Sequence, residues 1–199
     1  MADQCLVVGV TGASGAIYAV RFLRAAVQRY QTVYLILSDQ AIQVANHELN
    51  LTLDRVSFNA LSYLGMPAHN LTLLDPKDYF TPPASGSFVH DGMVIVPCSM
   101  GTIGRIAHGV SDDLLTRCAD VCLKEGRKLI LVPRETPMNQ IMLSNLARLA
   151  GAGARILPAC PAWYHRPQTV EELADTVVAR ILQNLDVEQD LTAAWMSGE

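Results

Sequence analysis

The stretch "CLVVGVTGASGAIYAVRFLRAAV", from Cys5 to Val27, constrains this chain more than any other. It opens as a short apolar run of the buried-strand type. It breaks at glycines with Thr11 and Ser14 among them, then returns at once to a helical period with Ile17, Val20, Leu23, Ala26 and Val27 on one side. That is a strand ending in a tight turn from which a helix starts. The free N–H groups of a helix start face an anion. Ser14 in that turn is either the helix cap or a ligand to whatever the turn holds.

The alternation continues to the end of the chain. "TVYLILS" is a second strand and "DQAIQVANHEL" a second helix. A short helix is predicted near Val56 to Leu64, then a strand in "NLTLLD" and an irregular loop over "YFTPPASGSF". "GMVIVPCS" and "KLILVP" read as buried strands, and "ARILPA" as another. "SDDLLTRCADVCLKEG" is a helix closed by Gly126, "PMNQIMLSNLARLAGAG" a second, and a capping box over Thr169 to Glu172 opens a final helix to about Leu185. Strands alternating with helices give an α/β fold, an open parallel sheet with helices on both faces. With no repeat and no dividing linker, residues 1–185 form a single domain and 186–199 a C-terminal tail.

Composition excludes several classes. The 199 residues are half apolar, enough for one sizeable core, and the net charge of −4 leaves no nucleic-acid footprint. No apolar run reaches the roughly 18 residues a membrane span needs. Five cysteines, an odd number in a chain of ordinary size, favour a reducing cytoplasm over a disulfide framework.

In such a sheet ligands sit where strands end. The segments that follow strands here are "TGASG", "SDQ", "PCSMGT", "PRETP" and "PACPAWYHRP". "TGASG" does not match the dinucleotide fingerprint, and Ser38 stands where an acidic ribose ligand would end the second strand. A mononucleotide or another phosphate-bearing ring fits better. "CSMGT" is a second hydroxyl-rich turn before a helix, and two such turns can hold one phosphate without a metal. Arg117 and Lys124 share a helix face, Arg134 follows a strand, and Arg180 lies on the last helix; together they suit a second phosphate. Glu48 and Glu135 are candidate acid/base groups if their surroundings are dry. Cys118 and Cys122 fall on an apolar stripe and read as core rather than as metal ligands. Trp163, Tyr164 and Trp195 either pack at an interface or wall off a cation.

Four stretches, "VTGASGAIYA", "PCSMGTIGRIAHGVSDDLL", "RCADVCLKEGRKLILVPRETP" and "YHRPQTVEELADTVVARIL", resemble the UbiX-like flavin prenyltransferase family over nearly the whole chain. The resemblance implies a Rossmann-like flavoprotein fold. It implies transfer of a dimethylallyl group from dimethylallyl phosphate to N5 and C6 of reduced FMN, without metal, giving prenylated FMN for a UbiD-type decarboxylase. It also implies a homododecamer with sites at subunit contacts. By the same resemblance, Gly12, Ala13, Ser14 and Ser38 hold FMN, as do Ser99, Met100, Gly101 and Thr102. Arg134 contacts flavin and substrate phosphate, Lys124, Tyr164 and Arg180 grip the prenyl phosphate, and Trp195 covers the prenyl chain. Ser14, Glu48, Glu135 and Lys124 form the catalytic set.

The chemistry is coherent on this reading. Ionising an allylic phosphate needs its leaving charge neutralised and the cation shielded from water. Magnesium-dependent prenyl enzymes use aspartate-rich motifs, whereas here Asp112-Asp113 is the one such pair, with no D-D-x-x-D. Asp113, Gly126 and Ser144 stand where many of those relatives carry other residues. "PMNQIM" resembles a motif of FMN-dependent cysteine decarboxylases, the alternative on the same scaffold, but the chain has "PCSMGT" in place of their P-A-S-A-N-T turn and no histidine before His47.

Overall fold

The structure, a computed structural model, describes residues 4–193. Six strands form one sheet: β1 (Cys5–Val10), β2 (Thr32–Leu37), β3 (Leu71–Leu74), β4 (Gly92–Cys98), β5 (Leu129–Pro133) and β6 (Arg155–Ile156). All pair in parallel, in the order β3-β2-β1-β4-β5-β6. The order runs outward in both directions from β1 and β4. A doubly wound sheet of this order opens a crevice where those two strands end.

The helices are α1 (Ala16–Val27), α2 (Asp39–Leu49), α3 (Ala60–Leu64), α4 (Met100–Ala107), α5 (Leu114–Lys124), α6 (Gln140–Gly151) and α7 (Val170–Asn184). Side chains alternate along each strand between two cores. Leu6, Val8, Val94, Val96 and Ile130 pack on the side of α1, α2, α3 and α7. Val7, Met93, Ile95, Leu129 and Leu131 pack on the side of α4, α5 and α6. The central strands are buried on both faces, so their sequences read as continuous apolar runs. Cys118 and Cys122 are fully buried within the second core, where burial pushes the Cys122 thiol up to about 12. Among the described residues no group of three metal-ligating side chains occurs, and no helix is long and apolar enough to cross a membrane.

Local hydrogen bonds trim several predicted elements. The helix expected from Val56 begins only at Ala60, because the Asp54 carboxylate accepts from the Val56 and Ser57 N–H groups (2.9 and 3.1 Å) and holds them in a turn. The helix expected from Pro137 begins at Gln140, where the Asn139 side chain accepts from the Met142 N–H at 2.9 Å. "ARILPA" shrinks to two strand residues at the sheet edge, although Leu157 and Ala159 still donate to Leu131 and Pro133. The capping box at Thr169 is half formed: Thr169 caps Glu172, but the Glu172 carboxylate takes the N–H of Gln168 instead of Thr169. The described part of the tail does not lie over the crevice. Arg29 holds the Glu188 carbonyl and pairs with Asp190, so residues 186–190 line a cavity of about 800 Å³ at the amino ends of the strands. Trp195 falls outside the described residues.

Candidate active site

Thr11 laces the ends of β1 and β4 together. Its N–H and its hydroxyl both donate to the Pro97 carbonyl (3.2 and 2.9 Å), and the hydroxyl accepts from the Ser99 N–H at 2.7 Å. The two hydroxyl-rich turns therefore stand side by side at the switch point.

In the second turn Ser99 caps α4. Its Oγ accepts from the Thr102 N–H (3.3 Å) and lies 3.1 Å from the Thr102 hydroxyl. Met100 and Thr102 are buried beneath, while Gly101 is exposed and a Cβ built on it would meet no atom within 4 Å. The outer face of this turn is open. The N–H groups of Met100 and Gly101 lie in the first turn of α4, which has no preceding turn to satisfy them.

The first turn is arranged differently. A Cβ on Gly12 would sit 2.4 Å from Cβ of Gln40, so only glycine lets the turn pass under α2. Ala13 is buried, and Gly15 (φ 106°) is the N-cap of α1 with no side-chain cap. Ser14 therefore does not cap the helix. Glu48, from the last turn of α2, takes that place: its carboxylate accepts from the N–H groups of Gly15 (2.9 Å) and Ala16 (2.8 Å). The Ser14 hydroxyl is a further hydrogen-bond partner of Glu48, and Arg134 Nε donates to the Ser14 carbonyl at 3.1 Å. Burial pushes the Glu48 carboxyl up. Ser14, the two N–H groups and the Arg134 charge outweigh it and hold the group below its usual range. Glu48 is thus the anion at the start of α1.

Ser38 stands beside this turn as the N-cap of α2, accepting from Ala41 at 3.0 Å and donating its own N–H to Val10 at 3.0 Å. The Tyr18 ring crosses under Gly15; burial pushes its hydroxyl up, Cys160 adds to that and the Arg134 charge opposes it. The Glu135 carboxylate turns back onto the Thr136 N–H at 3.0 Å. Tyr164 is exposed in the loop after β6, its ring 4.5 Å from that of His165. Arg180 lines a cavity of about 330 Å³ with Cys160, Pro158 and Arg155, its Nη1 on Gln183.

One chain does not bring every expected residue to the crevice. Lys124 ends α5, which runs back toward the start of β5. It pairs with Glu125 at 2.6 Å and lies against Gly86, at the opposite end of the sheet from Ser14. Arg117, on the same helix, donates to Ala84 and pairs with Asp120. Both face the loop over residues 82–88, not the switch point. Asp112 and Asp113, the aspartate pair, are both taken up by Arg105. Sequence reasoning missed Thr11, whose hydroxyl is the link between the turns, and Arg105, whose partners lie across a helix break where no periodicity points to them.

A glycine turn and an open hydroxyl-rich turn side by side at the switch point of a 3-2-1-4-5-6 sheet, with a carboxylate and an arginine beside them, mark a mononucleotide-binding α/β protein. Residues 1–186 match the Flavoprotein family. The flavin prenyltransferase UbiX of Alkalihalophilus pseudofirmus is 45% identical over 194 residues, covering 97% of this chain and 96% of that protein. Among solved structures, AnUbiX (PadA1) in complex with FMN and dimethylallyl pyrophosphate superposes with a TM-score of 0.87 at 35% identity, over 98% of this chain and 99% of that one. A dodecameric FMN-dependent UbiX-like decarboxylase from Escherichia coli O157:H7 gives 0.86 at 36% identity, over 98% and 100%. The cysteine decarboxylase TvaF, at 18% identity and 0.59 over 92% and 98%, shares the fold alone. The chain belongs to the UbiX flavin prenyltransferase family.

Proposed function

We propose that this chain binds reduced FMN at the two turns and transfers to it a dimethylallyl group from dimethylallyl phosphate, without a metal. The observation that carries this reading is the convergence of Ser14, Glu48 and Arg134 beside the open Ser99–Thr102 turn. When bound, the reduced flavin supplies the nucleophilic ring that takes the five-carbon unit at N5 and C6. The residues do the rest. Gly12, Ala13, Ser14, Ser38 and the second turn hold the flavin, and Arg134 spans flavin and substrate phosphate. Glu48, kept ionised and hydrogen-bonded to Ser14, manages a proton at the ring edge, and Glu135 manages one near the leaving group. Arg180 and Tyr164 grip the leaving phosphate, neutralising the charge that develops as the C–O bond breaks.

Lys124 would complete that grip from a neighbouring copy, since its own chain holds it at the far end of the sheet. The exposed apolar side chains Ile141, Leu143, Trp163 and Val170 support an assembly of copies, as in the dodecameric relative. Trp195 would cover the prenyl chain. The enzyme acts in the cytoplasm, where its unpaired cysteines persist and where a UbiD-type decarboxylase receives the prenylated flavin. Incubation with reduced FMN and dimethylallyl phosphate, followed by mass analysis of the flavin, tests the reading. The expected product is heavier by one five-carbon unit, and flavin of unchanged mass overturns it. Lys124→Ala is expected to retain flavin and lose turnover.

A further inference from the structure

Arg105 sits on α4, one turn beyond the Ser99–Thr102 turn, and binds three groups at once. Its Nη1 lies 2.6 Å from Asp112 Oδ1 and 2.7 Å from Asp113 Oδ2, and its Nη2 lies 3.4 Å from the Thr102 hydroxyl. The Thr102 hydroxyl is 3.1 Å from Ser99 Oγ, the cap of the same turn, and Thr102 is 3% exposed. The Asp113 carboxylate is fixed in turn by the start of α5: it accepts from the Thr116 N–H at 2.7 Å and the Thr116 hydroxyl at 2.8 Å. One guanidinium therefore ties the cap of α5 to the cap of α4.

We propose that Arg105 is a positioning residue for flavin binding. Held by Asp112 and Asp113, it orients the Thr102 hydroxyl and through it Ser99, so that the second turn is set before flavin arrives. This rests on the flavin reading above. The three-way contact sets Arg105 apart from an ordinary surface ion pair. An exposed Arg–Asp pair gains little, because long side chains must be ordered to make it. Here both carboxylates share one guanidinium nitrogen, leaving the other free to reach Thr102. Asparagine in place of Asp113 would still cap α5 through its side-chain oxygen. It would place an amide or a neutral oxygen before Arg105 where this chain places charge. Burial raises the Asp113 carboxyl, but Thr116 and Arg105 outweigh it and hold the group low, so the charge facing Arg105 is permanent near neutral pH.

Titration of the full-length protein with FMN, followed by quenching of flavin fluorescence, tests the proposal. Arg105→Ala is expected to weaken FMN binding roughly tenfold, the loss of a charge-assisted hydrogen bond. Asp113→Asn is expected to weaken it about threefold while leaving the melting temperature unchanged, since the cap survives. In a Thr102→Val background Arg105→Ala should cost nothing further, because the group it orients is gone. A purely structural role would not give that dependence on Thr102. FMN affinity within twofold of wild type in Arg105→Ala, or an equal loss with and without Thr102, overturns the proposal. Should Arg105→Ala fail to fold, Asp113→Asn decides, and unchanged affinity there overturns it. A wild-type chain that binds no FMN overturns the flavin reading itself.

Discussion

The Thr11 hydroxyl accepts a hydrogen bond from the Ser99 N–H at 2.7 Å across 88 residues of sequence. It also donates to the Pro97 carbonyl, so one side chain fixes the spacing of both ligand-facing turns. Thr11→Val keeps the shape and removes both bonds. The Ser99 N–H then loses its acceptor in a part-buried position, at a cost of about 1–3 kcal/mol. Denaturant unfolding should show that loss, and Thr11→Ser should recover most of it. Stability of Thr11→Val equal to wild type would show that the two turns are spaced by the strands alone.

Gly12→Ala places a methyl 2.4 Å from Cβ of Gln40, far inside contact distance. The start of α2 carries Ser38 as its cap, so relief must move Ser38 as well. A loss of about 1–3 kcal/mol is expected from the overpacking, together with weaker FMN binding. Gly101→Ala is the control, because a Cβ there meets nothing within 4 Å. It should keep its stability; any FMN it loses reports a ligand lying directly on that turn.

These two glycines also show how much the sequence reveals. The turn, its place after β1 and the alternation of strands and helices were all legible, because a strand buried on both faces leaves an unbroken apolar run and a helix start leaves capping residues. The pairing of Ser14 with Glu48 and Arg134 was not legible from spacing. It depends on α2 crossing the start of α1, a tertiary packing event with no local signal; the resemblance to a family supplied those residues instead. Lys124 shows the reverse. Its helix is plain in the sequence, but the end of the sheet it reaches follows from the direction in which α5 runs back, and one chain leaves it far from Ser14. Element ends at Ala60 and Gln140 were missed because Asp54 holds the Val56 and Ser57 N–H groups in a turn, and because Asn139, two residues past Pro137, is the side chain that caps the helix.

Glu48 links the site to acid stability. Its folded pKa lies below its ordinary value of 4.5, so it contributes stability above 4.5 that is lost as pH falls through the folded value. Glu48→Gln removes the charge and keeps one accepting oxygen. Urea unfolding should show wild type more stable than Glu48→Gln at pH 7, with the gap closing below pH 4.5. A gap that persists at low pH would mean the carboxylate is not the anion of α1.

Asp175 and Arg21 pin α7 to α1. Arg21 Nε donates to Asp175 Oδ1 at 2.7 Å, and a second bond joins Nη2 to Oδ2, a bidentate pair. Asp175 is 6% exposed, while the Arg21 side chain keeps about a quarter of its surface in water. Asp175→Ala leaves the guanidinium without its partner in a half-buried groove. The penalty for a fully buried orphaned charge is about 3–5 kcal/mol, and solvent at Arg21 reduces it here to roughly 1–3 kcal/mol. Replacing both residues, Arg21→Met with Asp175→Leu, removes charge and partner together and should recover most of the loss. Neither residue bonds to the two turns, so FMN affinity should stay within twofold in both variants. In a double-mutant cycle completed with Arg21→Met and Asp175→Leu alone, single losses that simply add would show that the helices are held by apolar packing, with the ion pair contributing nothing.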